Sequence, residues 1–156
     1  MSGLLIYVIF FHVLGAIVWV GGMIAIRFAV HPSLQNISDD QVRLARILEI
    51  TGRLFALVLP FILLLIATGL YMAHVFGFRG HTDLSVVVHV KEAIWLVMTI
   101  NYAVMVWLRF KAQSYYLSAN YLMAKKYLAP IPKYLLPLNI FLGVLALYFG
   151  LVLRGF

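Results

Sequence analysis

Four long apolar segments constrain this chain more than any other feature of its sequence. They cover about residues 4–30, 54–76, 84–108 and 134–153. Each reaches the roughly 20 residues that a helix needs to cross the hydrocarbon core of a bilayer. A chain of 156 residues that is 65% hydrophobic and 11% charged is too apolar for a soluble domain. We therefore predict an all-α integral membrane protein, in which residues 1–156 form one four-helix transmembrane bundle.

Polar and proline residues predict where these helices begin and end. Ser38 opens a capping-box pattern, so the second helix is predicted to begin there in water and to enter the membrane near Leu54. Pro60 is expected to kink that helix. The third helix is predicted to continue past Arg109 as a polar extension. Three prolines are expected to break the chain and start the fourth helix: Pro130, Pro132 and Pro137.

Lys and Arg residues are distributed unevenly between the two sides of the predicted bundle. Nine lie on one side: Arg27, Arg43, Arg46, Arg53, Arg109, Lys111, Lys125, Lys126 and Lys133. Only Arg79, Lys91 and Arg154 lie on the other. The positive-inside rule therefore predicts that both termini face away from the cytoplasm. Because the basic residues flank apolar spans, the formal charge of +7 indicates contact with lipid headgroups and not with nucleic acid.

Three histidines fall on the non-cytoplasmic side in this topology. His12 lies in the outer half of the first helix, and His89 lies about 7–8 Å into the third helix. His74 closes the second helix on the same side, whereas His31 lies on the opposite side. An ionisable side chain at membrane depth is a functional candidate. We therefore predict that His12 and His89 ligate a metal or cofactor, with His74 as an interfacial neighbour.

Small residues accompany the predicted ligands. At helical spacing, the residues that share a stripe with His12 are Gly15, Ala16 and Trp19. Such neighbours leave room for a flat ligand against the helix. A simpler interpretation is open for each histidine, because a buried imidazole also serves as a hydrogen-bond partner between helices. Glu92, three residues after His89, is an alternative partner for that side chain.

Haem b is the first ligand that this set of residues suggests. Two neutral imidazoles from facing helices hold a haem iron axially, and Trp19 suits the face of the macrocycle. Its propionates are expected to pair with Lys91, Arg79 or Arg154. Copper is the alternative, and its donors are the side chains of His12, His74, His89 and Met72. The chain has no cysteine, which excludes thiolate sites and disulfides.

Two resemblances to known membrane proteins accompany these residues. The run FHVLGAIVWVGGM resembles the first helix of copper resistance protein D-like proteins, and Thr68–Met72 and the Lys91 and Asn101 pair look like later parts of that pattern. The chain is also similar to the HemJ-type protoporphyrinogen oxidases. The residues that carry this similarity are His12, Trp19, Gly22, Arg27, His31, His89 and Lys91. The spacing from arginine to histidine is shorter here than in that family.

The two resemblances imply different functions. HemJ-type proteins imply haem b and an oxidoreductase that acts on porphyrinogens, whereas copper resistance D-like proteins imply copper uptake or tolerance. We expect a haem b-binding electron-transfer protein that exchanges electrons with a quinone or another redox partner in a bacterial-type inner (plasma) membrane. Copper binding or transport through the same histidines is the alternative, and a purely structural subunit is a third. No catalytic residue is assigned.

Helix contact within or between chains is predicted at the end of the fourth helix. Ala146 and Gly150 form a small-xxx-small pair, which permits close approach of another helix. The neighbour is either another helix of the same bundle or a second copy in a homo-oligomer.

Overall fold

Four long helices make up the fold of this protein. The computed structural model describes residues 3–77 and 83–153. The helices are α1 (Gly3–Gln35), α2 (Asp40–Val75), α3 (Asp83–Leu117) and α4 (Tyr121–Val152). Each is long and apolar enough to cross a membrane, and every regular element in the described ranges is helical. The prediction of an all-α membrane protein with four spanning helices is confirmed.

The start of α2 differs from the prediction by one residue. Asp39, and not Ser38, is the N-cap. Its Oδ1 accepts hydrogen bonds from the backbone N–H groups of Gln41 at 2.8 Å and Val42 at 3.1 Å. A carboxylate at this position satisfies two orphan donors and also complements the positive end of the helix. The prediction for Ser38 was therefore wrong, because the next residue offers the stronger cap.

Prolines interrupt the helices less than the sequence suggests. Pro60 lies inside α2, which continues to Val75. A short helix, Tyr121–Leu128, precedes the prolines that were expected to begin the fourth helix. Pro132 and Pro137 occupy the first turns of new helical segments, where the missing N–H has no intrahelical role. The predicted extension of α3 beyond Arg109 is confirmed, since the helix ends at Leu117.

Three π-helical turns depart from regular helix geometry. Two lie in α1, at Ile17–Gly21 and Ile26–Val30, and one lies in α4, at Ile131–Leu135. A π-helical turn accommodates more residues than a regular turn and rotates the side chains that follow it; such turns are frequent at functional sites. The side chains of Trp19 and Arg27 both lie within these turns.

The interior and the outer surface of the bundle are both apolar. The interior is formed by side chains that are at most 1% exposed, among them Trp19, Met23, Met105, Ile131 and Leu136. Large apolar side chains also cover the outside of every helix, as at Phe28, Leu63, Ile100 and Phe141. Such a surface is stable in contact with lipid and not with water.

Buried polar groups connect α3 to its neighbours. The Nδ2 of Asn101 donates to the Leu135 carbonyl at 2.8 Å and to Oδ1 of Asn139 at 2.7 Å. The Nδ2 of Asn139 donates back to the Met98 carbonyl at 3.2 Å. On the other side of α3, the Tyr102 hydroxyl donates to a carbonyl of α2 at 2.7 Å. These bonds fix the register of α3 against α2 and α4.

Candidate functional site

His12 lies against α2 at the level of Thr68. Its Nδ1 is 2.8 Å from the Thr68 hydroxyl oxygen. His12 is nine residues from the start of α1, and Thr68 is seven residues from the end of α2. Antiparallel packing of successive helices therefore brings the two residues to similar depth. The imidazole is half-buried, so one part of the ring stays accessible from outside the bundle.

The Thr68 hydroxyl determines which nitrogen of His12 carries the proton. That hydroxyl lies 2.6 Å from the Leu64 carbonyl and donates its single hydrogen there. It therefore accepts from His12, and Nδ1 is the donor. The proton on Nδ1 leaves the lone pair of a neutral imidazole on Nε2. This is the state of a metal-binding histidine whose other nitrogen is held by a hydrogen bond.

The glycines near His12 differ in the space that they leave. A Cβ on Gly15 would come within 2.9 Å of the Leu65 side chain and 3.3 Å of the Phe61 carbonyl. Close packing of α1 on α2 thus fills the space that the sequence suggested for a flat ligand. A Cβ on Gly69 would meet only His12 Cε1 within 4 Å among the described residues. Gly69 therefore lies beside the imidazole, where an added Cβ would make an ordinary van der Waals contact at 3.5 Å.

Lys91 is a basic residue of α3 whose ammonium lies beside α4. Its Nζ is 3.3 Å from the position of an added Cβ on Gly150 of α4, and the side chain is half-buried. It also lies within electrostatic range of His12. Within residues 3–77 and 83–153, no carboxylate forms an ion pair with Lys91. The site therefore combines a neutral imidazole with an uncompensated cation.

His89 and His74 lie on the outside of the bundle. The His89 side chain is 68% exposed, and its Nδ1 is 3.2 Å from Oε2 of Glu92. It shares an exposed face of α3 with Leu96 and Ile100. His74 is also exposed, one residue before the end of α2. His89 thus forms the pair with Glu92 that the sequence offered as its alternative.

No cluster of donors accompanies the histidines in the described part of the chain. Nowhere there do three or more His, Cys, Asp or Glu side chains gather in an arrangement that could hold a metal ion. A copper site needs three or four donors, so the described arrangement offers no support for one. A haem needs fewer protein ligands, because the macrocycle supplies four nitrogens.

Two tryptophans leave buried donors without acceptors. The indole Nε1 atoms of Trp19 and Trp95 are buried and have no hydrogen-bond partner among the described residues. Trp19 is 1% exposed and packs in the core, so it forms part of the protein interior and not an open wall. Orphaned donors of this kind are uncommon in folded proteins and fit a bound polar group or water.

Some predicted site residues lie outside the described ranges, and others were not found from the sequence. Arg79 and Arg154, the alternative partners for the propionates, lie outside the described residues. Thr68 and Gly69 were quoted only as part of a resemblance, although Thr68 forms a hydrogen bond with His12 and Gly69 lies beside it. Their depth in the bundle is the sequence signal that could have indicated them. In antiparallel helices, a residue near the end of α2 lies at the same depth as a residue near the start of α1.

The fold and composition define a multi-pass membrane protein with four spanning helices. Comparisons with protein-family models, with curated proteins and with solved structures find no match to this chain. The resemblances drawn from its motifs therefore remain expectations.

Proposed function

We propose that this chain is a membrane haem b protein that works in electron transfer, with Nε2 of His12 as an axial ligand of the iron. The observation that carries the proposal is the hydrogen bond between His12 Nδ1 and Thr68. It orients the ring and leaves the lone pair on the nitrogen that binds metals. A bound haem supplies reversible transfer of one electron. The bundle supplies the apolar surroundings that influence its reduction potential.

Lys91 supports a ligand that carries negative charge next to the imidazole. A half-buried ammonium without a carboxylate partner is costly in an apolar bundle. A haem propionate is an anion of suitable chemistry to pair with it. The same site thus offers one group for the iron and one for a carboxylate. Copper would use the imidazole but leave the ammonium uncompensated.

His89 is proposed as the second axial ligand. Glu92 holds its Nδ1, which orients the proton as Thr68 does for His12 and leaves Nε2 available. Since His89 lies on the outer face of α3, two geometries lead to a bis-histidine site. Either the outer turns of α3 rotate toward α1, or a second copy of the chain provides His89. Co-expression of His12→Ala with His89→Ala distinguishes them, because only ligation between copies restores a complete site.

The narrower features of the proposal follow from the sequence. Both termini are placed on the non-cytoplasmic side of a bacterial-type inner (plasma) membrane, with a quinone or another redox partner as the source or acceptor of electrons. The HemJ-type resemblance supports porphyrinogen oxidation as the specific reaction. That reaction is tested separately, by following porphyrin formation from a supplied porphyrinogen in membranes that contain the protein.

The experiment measures haem and copper in protein purified from cells with an ample supply of both. We expect haem in the wild-type protein and its loss or spectral conversion in His12→Ala and His89→Ala. His31→Ala is the matched control, since His31 lies at the other end of α1 and should leave the spectrum unchanged. A colourless protein that retains copper in a His12-dependent way would establish the copper alternative. In that case His74→Ala should weaken metal binding as much as the other two substitutions.

A further inference from the structure

A second site lies at the opposite end of α1 from His12. There, the last turns of α1, the first turns of α2 and the start of α4 enclose a cavity of about 410 Å³. This volume falls within the roughly 300–1,000 Å³ that is typical of small-molecule sites. No sequence motif pointed to it, because its walls come from three separate segments.

The walls of this cavity are apolar, and its rim is basic. Its apolar side chains include those of Ile26, Leu34, Leu44, Ile47, Leu128 and Leu136. The basic side chains that line it are those of Arg27, His31, Arg43, Lys125 and Lys133. Asp40 is the single carboxylate. The cavity therefore suits a ligand that has both an apolar part and an anionic group.

Three of the basic side chains have no carboxylate partner in the described ranges: those of Arg27, His31 and Lys133. Asp40 pairs with Arg43, and its second oxygen lies 3.8 Å from Nζ of Lys125. Arg27 and Lys133 form no such pair, and the Nε of Arg27 is buried without any hydrogen-bond partner. A buried, unpaired guanidinium nitrogen is energetically costly unless an acceptor binds there. A bound anion would supply the missing hydrogen-bond acceptor.

Arg27 and Lys133 both belong to π-helical turns, and the Nζ of Lys133 also lies 5.0 Å from the ring centroid of Tyr134. Arg27 lies in Ile26–Val30 of α1 and Lys133 lies in Ile131–Leu135 of α4, and the two turns face the same cavity. A π-helical turn has a local cost and is retained mostly where it serves a site. Two such turns on different helices at one cavity are a second, independent indication of a binding site.

We propose that this cavity binds the phosphate headgroup of an anionic phospholipid, held by Arg27 and Lys133. A volume of about 410 Å³ accommodates the headgroup and the first carbons of the acyl chains, and the remaining chains extend along the apolar surface of the bundle. Basic pockets between membrane helices are sites of this kind. A lipid headgroup and free phosphate both carry an anionic phosphate group. The ligand proposed here is the lipid.

The test measures lipids retained by the purified full-length protein in native mass spectrometry, after removal of endogenous lipid and addition of phosphatidylglycerol or phosphatidylcholine. We expect preferential retention of phosphatidylglycerol. Arg27→Gln and Lys133→Gln should each weaken it about fivefold, the effect of one basic residue near an anionic headgroup. Arg53→Gln and Lys126→Gln are the matched controls, since both residues carry the same charges but neither lines the cavity. These two should bind as the wild type does.

A third variant separates the cavity from general surface charge. Ala129→Phe fills the cavity while every basic residue remains, so it should also lose the lipid. Equal retention of the two lipids, or equal weakening by the control variants, would overturn the proposal. So would full retention by Ala129→Phe. Displacement of the bound lipid by millimolar inorganic phosphate would show that the site takes a free anion, and the lipid assignment would be wrong. Lys133→Gln alters an exposed side chain, so its folding is not in question.

Discussion

Two threonines of α2 have the same local geometry but different neighbours. The hydroxyl of Thr51 lies 2.6 Å from the carbonyl of Ile47, just as that of Thr68 lies 2.6 Å from Leu64. Only Thr68 has a histidine against its oxygen. Comparing substitutions at Thr51 and Thr68 therefore distinguishes two effects of a threonine. One is its effect on its own helix, and the other is its effect on the imidazole of the neighbouring helix.

The first prediction concerns Thr68→Val. Valine keeps the shape but removes the acceptor, so His12 loses its hydrogen bond and its fixed orientation. We expect haem affinity to fall by about 10–100-fold, as for other residues that orient a metal ligand. Titration of haem into haem-free protein measures the change. Thr51→Val is the control and should bind haem as the wild type does. Equal affinity of the two variants would show that the bond to Thr68 has no role in ligand binding.

The second prediction concerns the buried amides of Asn101 and Asn139. Because the two side chains share a hydrogen bond of 2.7 Å, their replacement by alanine should not be additive. We expect a coupling energy of about 0.5–2 kcal/mol from a double-mutant cycle of unfolding in mixed micelles. The cycle of Asn101→Ala with Asn36→Ala should be additive, since Asn36 is exposed in the turn after α1. If the effects of Asn101→Ala and Asn139→Ala on the free energy of unfolding are additive, each amide stabilises the protein only through its hydrogen bonds to backbone carbonyls.

At the scale of helices, α2 and α3 meet at a glycine on the side away from His12. The guanidinium of Arg109 lies over Gly52, and its Nε donates to the Leu48 carbonyl at 3.1 Å. A Cβ on Gly52 would come within 2.6 Å of Arg109 Cζ. The glycine thus lets an arginine of α3 lie flat on the backbone of α2.

The third prediction follows from that contact. Gly52→Ala should displace Arg109 and remove a hydrogen bond from a charged donor, which costs about 1.5–3 kcal/mol. The gain in helix propensity of roughly 1 kcal/mol offsets part of this cost. We expect a net loss of stability in thermal unfolding. Gly21→Ala is the control: nothing lies within 4 Å of its added Cβ, so that variant should be as stable as the wild type or more so. A stabilised Gly52→Ala variant would contradict the contact.

The helices were predictable from the sequence, but their faces were not. Span positions follow from hydropathy, which depends only on local composition. Which face is buried does not, because lipid-facing and interior residues are both apolar here: Leu96 is 53% exposed and Met98 is 3% exposed. For this reason the sequence could not show that Lys91 lies beside α4 whereas His89 lies on the outer face of α3. The π-helical turns add rotations that no periodic pattern predicts.

At the scale of the whole molecule, the distribution of basic residues predicts the orientation of the bundle in the membrane. The fourth prediction is that a reporter fused after Phe156 reads as non-cytoplasmic, because nine of the twelve Lys and Arg residues lie on the other side. A reporter inserted between Asn36 and Ser38, in the turn between α1 and α2, is the control and should read as cytoplasmic. The reverse pair of signals would place His12 near the cytoplasmic face and the basic cavity outside.

The bundle as a whole presents two chemically different ends. Near one end, the imidazole of His12 lies against Thr68 and the ammonium of Lys91 lies beside Gly150. At the other end, basic side chains surround an apolar cavity. At Gly150, the Nζ of Lys91 lies 3.3 Å from the position of an added Cβ, so a larger side chain there would meet Lys91 of α3 within the bundle.

The most direct test of the account is the visible spectrum of His12→Gly with and without added imidazole. If His12 Nε2 is an axial ligand, the variant should lose the low-spin spectrum of the wild type. Free imidazole should then restore it, by occupying the space that the side chain leaves. The same treatment of His31→Gly should have no effect, because that variant should already match the wild type. A His12→Gly protein with an unchanged haem spectrum in the absence of imidazole would contradict the central claim.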